Sequence, residues 1–186
     1  MAQFLYLDST QREVLKAATF ANQRFEGHFR SNPQEPEIEH AYRVASIVRN
    51  LLQFEEPVYS VVALLHDVLE KSSTDVRLVH SAFGKDVVAE VCALTRPAAG
   101  QKATKEESSA AEDKYIAGIF AASEVALAVK TADLIDNLIS RSHAGDPKPT
   151  LEKAEEFMRA LNLHPLSVRM KVAKHMLANT IDQVRA

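Results

Sequence analysis

The chain has 186 residues, 46% of them hydrophobic, with a net charge of −3 and a pI near 6.2, amounts that suit one compact domain with a substantial core. This balance exerts no general pull on nucleic acid or an anionic membrane, so neither is an expected partner, and an anionic ligand would have to be held by local charge or a metal. No stretch approaches the roughly 20 apolar residues that span a bilayer, the N-terminus lacks an export pattern, and a lone cysteine excludes an intramolecular disulfide, so a reducing cytoplasm is the expected compartment.

Five glycines, no tryptophan and long stretches rich in Ala, Leu, Val and Glu predict an all-α fold. A first helix is expected from Ser9 to about Phe25, capped by Ser9 or Thr10, with Val14, Leu15, Ala18 and Ala21 at helical spacing. The segment GHFRSNPQEPE reads as an irregular loop leading to a helix that carries His40 in its first turn. Pro57 opens a third helix, PVYSVVALLHDVLE, whose apolar middle marks it as the central buried one.

Two short helices follow, one stopped by Gly84 and one, DVVAEVCALTRP, closed by Pro97, with Cys92 expected on the apolar face as a buried structural thiol. AAGQKATKEESSA is polar and reads as a mobile loop, the one candidate lid. From about Ala110 a helix through EDKYIAGIFAAS, a second through SEVALAVKTADLIDNLISR and a turn at HAGDPKP are expected. Two C-terminal helices over residues 149–186, broken at His164-Pro165, complete the core of a single domain spanning residues 1–186.

His66 and Asp67 stand side by side inside the apolar run VVALLHDVL, where two polar groups have no local partner. A divalent cation would satisfy both, since imidazole and carboxylate suit Mn, Fe, Co, Ni or Zn. Two more ligands are needed, and His40 and Asp133 are the candidates that helix packing could add. Taken singly, each of these residues is more often a capped, paired or solvated group than a ligand.

The ordered set of His40, His66-Asp67 and an Asp in KTADLIDN resembles the HD superfamily of metal-dependent phosphohydrolases. Over roughly Ala17 to Leu138 it is most similar to the hydrolase domain of the RelA/SpoT type and its small stand-alone relatives, which remove pyrophosphate from the 3' position of guanosine tetra- and pentaphosphate. EPEIEHAYRVASIV is similar to that family's Pro-Tyr-Ile-x-His-Pro-x-x-Val-Ala, and LLHDVLEKS to Leu-Leu-His-Asp-x-x-Glu-Asp. VKTADLIDNL matches Lys-x-Ala-Asp-x-x-x-Asn-Leu, and AFGKDVVAEVCALTRP matches Phe-Gly-x-x-Val-x-x-x-Val-x-x-Leu-Thr.

The resemblance implies a compact helical bundle in which His40, His66, Asp67 and Asp133 bind a metal, usually Mn, with Glu70 and Lys71 beside it as catalytic positions. Glu70, one helical turn beyond His66, would orient or deprotonate the attacking water. Arg30 is implied to pack on the base, with Asn137, Lys130 and Tyr115 near the nucleotide. For each there is a plain alternative: a helix-end surface pair for Glu70 and Lys71, a helix–helix hydrogen bond for Asn137, a surface arginine for Arg30, and an outward-snorkelling Lys130.

The chain departs from the family at four points. Lys71 stands where the family has aspartate, Glu37 where it has tyrosine, Ala41 where proline follows the first histidine, and Phe25 where an upstream histidine occurs. The expected function is therefore hydrolysis of a guanosine polyphosphate, with hydrolysis of another nucleotide or a weakly catalytic nucleotide-sensing module as alternatives. The oligomeric state is open, a homo-oligomer included.

Overall fold

The computed structural model describes residues 8–31, 34–97 and 105–186, and among these no residue lies in a named strand. Chain order gives α1 (Ser9–Arg24), α2 (Glu37–Ser46), a π-helical turn (Ile47–Leu51), α3 (Pro57–Leu65), α4 (Val68–Lys71) and α5 (Val76–Leu94). α6 (Lys105–Ala122), α7 (Glu124–His143), α8 (Lys148–Leu163) and α9 (Val168–Arg185) follow. The all-α expectation holds.

Two helices form the centre. Every residue of α3 from Tyr59 to Leu65 is buried, and α7 is buried almost continuously from Ala126 to Leu138. α1 and α2 pack on α3, and α8 and α9 pack on α7, with α2 and α5 also touching both central helices. Complete burial on all sides is why α3 reads as an uninterrupted apolar run instead of a 3.6-residue stripe. Outer helices show the stripe: in α8 the buried residues are Ala154, Phe157 and Leu161, at spacings of three and four.

Several boundaries differ from the sequence reading, each for a local reason. Asp8, not Ser9 or Thr10, caps α1 in a capping box with Gln11. The third helix does not run through to Glu70: it stops at Leu65, and Asp67 adopts φ −100°, ψ −2° before α4 resumes. The two short helices expected on either side of Gly84 are present: they share the label α5 but are separated by a kink, where Gly84 takes the non-helical φ 82° and ψ 174°.

Cys92 is exposed, because Val91 and Leu94 form the buried side of α5 and position 92 turns outward between them. The expected lid falls largely on residues 98–104, outside the described residues; its C-terminal part, Lys105–Ala110, is the start of α6. The loop before α2 is more ordered than its composition suggests, since Phe29 bridges Pro36 in antiparallel fashion and Arg30 N–H donates to the Glu35 carbonyl at 2.8 Å. No described helix is long and apolar enough to cross a membrane.

A side chain at position 84 would meet no atom within 4 Å, so any cost of replacing Gly84 comes from its backbone conformation alone, one nearly exclusive to glycine. Gly84→Ala is expected to lower stability by about 1–3 kcal/mol, read as a shift in the urea unfolding midpoint with an unchanged slope.

Candidate metal centre and its cleft

Burial of α2, α3 and α7 against one another brings four side chains to one point. His40, 2% exposed, donates from Nδ1 to Asp136 Oδ2 at 2.7 Å, which leaves Nε2 facing Asp133 Oδ1 at 3.2 Å and Asp67 Oδ2 at 4.0 Å. His66, immediately after α3, donates from Nδ1 to the Ala63 carbonyl at 2.7 Å. That bond fixes its tautomer, and its Nε2 is buried with no hydrogen-bond partner, 3.6 Å from Asp67 Oδ1 and 3.8 Å from Asp133 Oδ1.

A divalent cation fits this donor set. The orphaned Nε2 of His66 is an unsatisfied lone pair of the kind proteins rarely leave buried. Bonds of about 2.1 Å to one cation place adjacent donors about 3.0–3.5 Å apart, close to the 3.2 to 4.0 Å observed. Donor atoms of His40, His66 and Asp67 all lie within 4.8 Å of one another, and each imidazole already has its other nitrogen anchored, as metal-binding histidines do.

The charges around the cluster hold it in place. Burial opposes the His40 cation, yet the hydrogen bonds it donates to Asp133 and Asp136 outweigh it and raise the imidazole from 6.5 to about 9. Burial also opposes the Asp133 carboxylate, but Lys130, at 2.8 Å, together with His40 and His66, holds it well below the usual range. Asp136 is likewise kept low against burial by His40 and by Arg43, whose Nε donates to it at 2.6 Å.

The cluster forms the floor of a cleft of about 350 Å³. Arg30, Lys71, Arg96, Lys130, Arg141 and Lys153 line it with positive charge, against Glu37, Asp67, Glu70 and Asp133. Most of these cations are committed: Lys71 to Glu70 at 2.9 Å, Arg96 to Glu112 at 2.7 Å, and Lys130 to Asp133. Tyr115 donates its hydroxyl to the Leu94 carbonyl at 2.9 Å and lies under the guanidinium of Arg96, 4.8 Å from its ring centre.

The HD domain model matches residues 17–160, which includes all four converging side chains. The chain belongs to the HD domain family. No curated protein matches it. Among solved structures, a metazoan ortholog of SpoT, described as hydrolysing ppGpp and playing a role in starvation responses, has the same fold, with a TM-score of 0.74 over 96% of this chain and 97% of the other at 20% identity.

Within this HD domain the structure brings all ten sequence-selected residues to the cleft: His40, His66, Asp67, Asp133, Glu70, Lys71, Arg30, Tyr115, Lys130 and Asn137. Some arrive differently from the expectation. Glu70 reaches it across the break after His66 and not along one continuous helix. Lys130 points inward, 6% exposed, instead of snorkelling. Arg30 donates to Asn137 Oδ1, and Asn137 donates to Asp133 Oδ1, so both belong to a chain of bonds ending on the cluster.

Sequence reasoning missed Asp136, Arg43 and Glu35, which brace His40 from behind, and Arg96, Arg141 and Lys153 in the cleft wall. Asp136 had a usable signal, since it follows Asp133 by three on the same helix face. Arg43 and Glu35 had none beyond their charge.

Two outcomes follow from this geometry. Asp136→Asn removes the charge that orients His40 and is expected to weaken divalent-metal binding about 10- to 100-fold, measured by titration calorimetry. Because the folded-state value of His40 is raised, the stability its protonation contributes is complete below pH 6.5 and is lost as pH rises through about 9. The melting temperature of chelator-treated protein should therefore fall across that window, while the stabilisation given by added divalent cation, which needs neutral His40, should grow; a flat metal-free profile would contradict the His40 assignment.

Proposed function

We propose that this HD domain is a metal-dependent phosphohydrolase that removes pyrophosphate from guanosine 3',5'-bis(diphosphate) or a closely related nucleotide, with manganese held by His40, His66, Asp67 and Asp133. The observation that carries the reading is the adjacency of a four-donor cluster, Asp67 partly exposed and the rest buried, to a cleft lined by six cations. A cleft of this kind binds a polyanion next to a Lewis acid. The SpoT ortholog's activity on ppGpp, together with the shared fold, narrows the substrate class.

When bound, the cation supplies acidification of water and neutralisation of phosphate charge. The chain's residues then have separable parts. Lys71, Arg96 and Lys153 face the cleft as ammonium and guanidinium groups able to meet phosphoryl oxygens. Among the described residues Lys153 makes no hydrogen bond or ion pair, so its charge is available to a ligand. Arg30 supplies a flat surface for a base after exchanging its present bond to Asn137.

Glu70 is anchored by Lys71 on Oε1 and by the Arg96 N–H, which donates to Oε2 at 3.2 Å. A carboxylate with both oxygens engaged is suited to orienting a group. A second reading, the same centre acting on another nucleotide, is favoured by Lys71, because a cation here meets an additional phosphoryl charge instead of accepting a proton.

Manganese-loaded protein is expected to release pyrophosphate from guanosine tetraphosphate, and Asp67→Ala is expected to abolish the release. Release of phosphate from other nucleotides only, in a panel assayed in parallel, would select the second reading. Silence across the panel with metal bound would refute both.

A further inference from the structure

Glu37 is a carboxylate of the cleft to which the metal centre assigns no part. It is 6% exposed, lines the cleft, and lies one helical turn before His40 on α2, a spacing that puts both side chains on one helix face. Among the described residues its carboxylate makes no hydrogen bond and no ion pair. Lys71, across the cleft, feels its charge but is bonded to Glu70. The Glu37 carboxylate opens on the cleft and keeps contact with solvent there, in the favourable field of the N-terminus of α2. An uncommitted carboxylate in that place is free to act on something that enters the site.

The other carboxylates of the cleft are occupied. Asp67 and Asp133 face the imidazole nitrogens of the cluster. Both oxygens of Glu70 are engaged, one with an ammonium. Glu37 alone among these four acids has both oxygens uncommitted.

We propose, resting on the hydrolase reading above, that Glu37 is the proton acceptor of the reaction. The oxygen of the attacking water forms a bond to the phosphorus carried by the sugar oxygen as the bond between that phosphorus and the sugar oxygen breaks. The water proton passes to the Glu37 carboxylate, the departing sugar oxygen takes a proton from solvent, and Glu37 returns its own to solvent, so that an alcohol and pyrophosphate leave and Glu37 is regenerated. Glu70 holds the geometry, and Lys71 faces the phosphoryl charge.

The test is Glu37→Gln, compared with Glu70→Gln and the unaltered protein in three measurements: turnover of guanosine tetraphosphate, manganese affinity by calorimetry, and thermal unfolding without metal. Glu37→Gln should lower kcat about 100-fold or more, the scale of proton-transfer catalysis, with KM and manganese affinity within about threefold and an unchanged or higher melting temperature. A kcat loss smaller than tenfold would overturn the proposal. A tenfold loss of manganese affinity would make Glu37 part of the metal shell instead, and a lowered melting temperature would make it a structural group; either also overturns it. Failure of the unaltered protein to turn over any nucleotide, with manganese bound, would sink the hydrolase reading itself and the acceptor role with it.

Discussion

Two imidazoles and two carboxylates share one small, nearly dry volume, and the rest of the structure is organised around making that arrangement tolerable. Carboxylates 10% and 17% exposed, as Asp133 and Asp67 are, would repel one another across a low-dielectric gap unless positive charge is built in. Lys130 provides it from within α7, three residues before Asp133. Asp136 performs the opposite service for His40, and Arg43 and Glu35 extend that line outward to the surface. The alternation of sign from solvent to the centre lets a polar cluster sit between two of the most apolar helices in the chain.

Position within the cluster depends on a break in regular structure. Had α3 continued through Asp67 to Glu70, successive side chains would have fanned out at 100° intervals, and His66 and Asp67 would not face the same point. Asp67 instead turns at φ −100°, ψ −2°, a sparsely populated conformation common among functional residues. The Ala63 carbonyl, freed near the end of α3, takes the Nδ1 proton of His66. Termination of the helix thus supplies the contact that aims His66 and the turn that aims Asp67.

Electrostatics separate the floor of the cleft from its walls. The floor is acidic and committed inward; the walls are basic, and of their cations Lys153 has no partner among the described residues. Glu37 departs from that division, a cleft carboxylate whose two oxygens make no hydrogen bond or ion pair among the described residues.

The amino-acid sequence by itself determined the all-helical class, because few glycines and 3.6-residue apolar spacing are local properties. It also singled out the candidate metal centre, since His66-Asp67 in an apolar run leaves two polar groups without local satisfaction wherever the chain goes. Tertiary structure alone decided the rest. The end of α3 at Leu65, the exposure of Cys92 and the inward turn of Lys130 depend on which face meets which neighbour. Asp136, Arg43 and Glu35 are ordinary charges in sequence; they become a brace only because α2 and α7 bring positions more than ninety residues apart into hydrogen-bond contact. The same packing leaves the Glu37 carboxylate without a hydrogen bond or ion pair among the described residues, a property that no local pattern encodes, since it is decided by every element that could have supplied a partner.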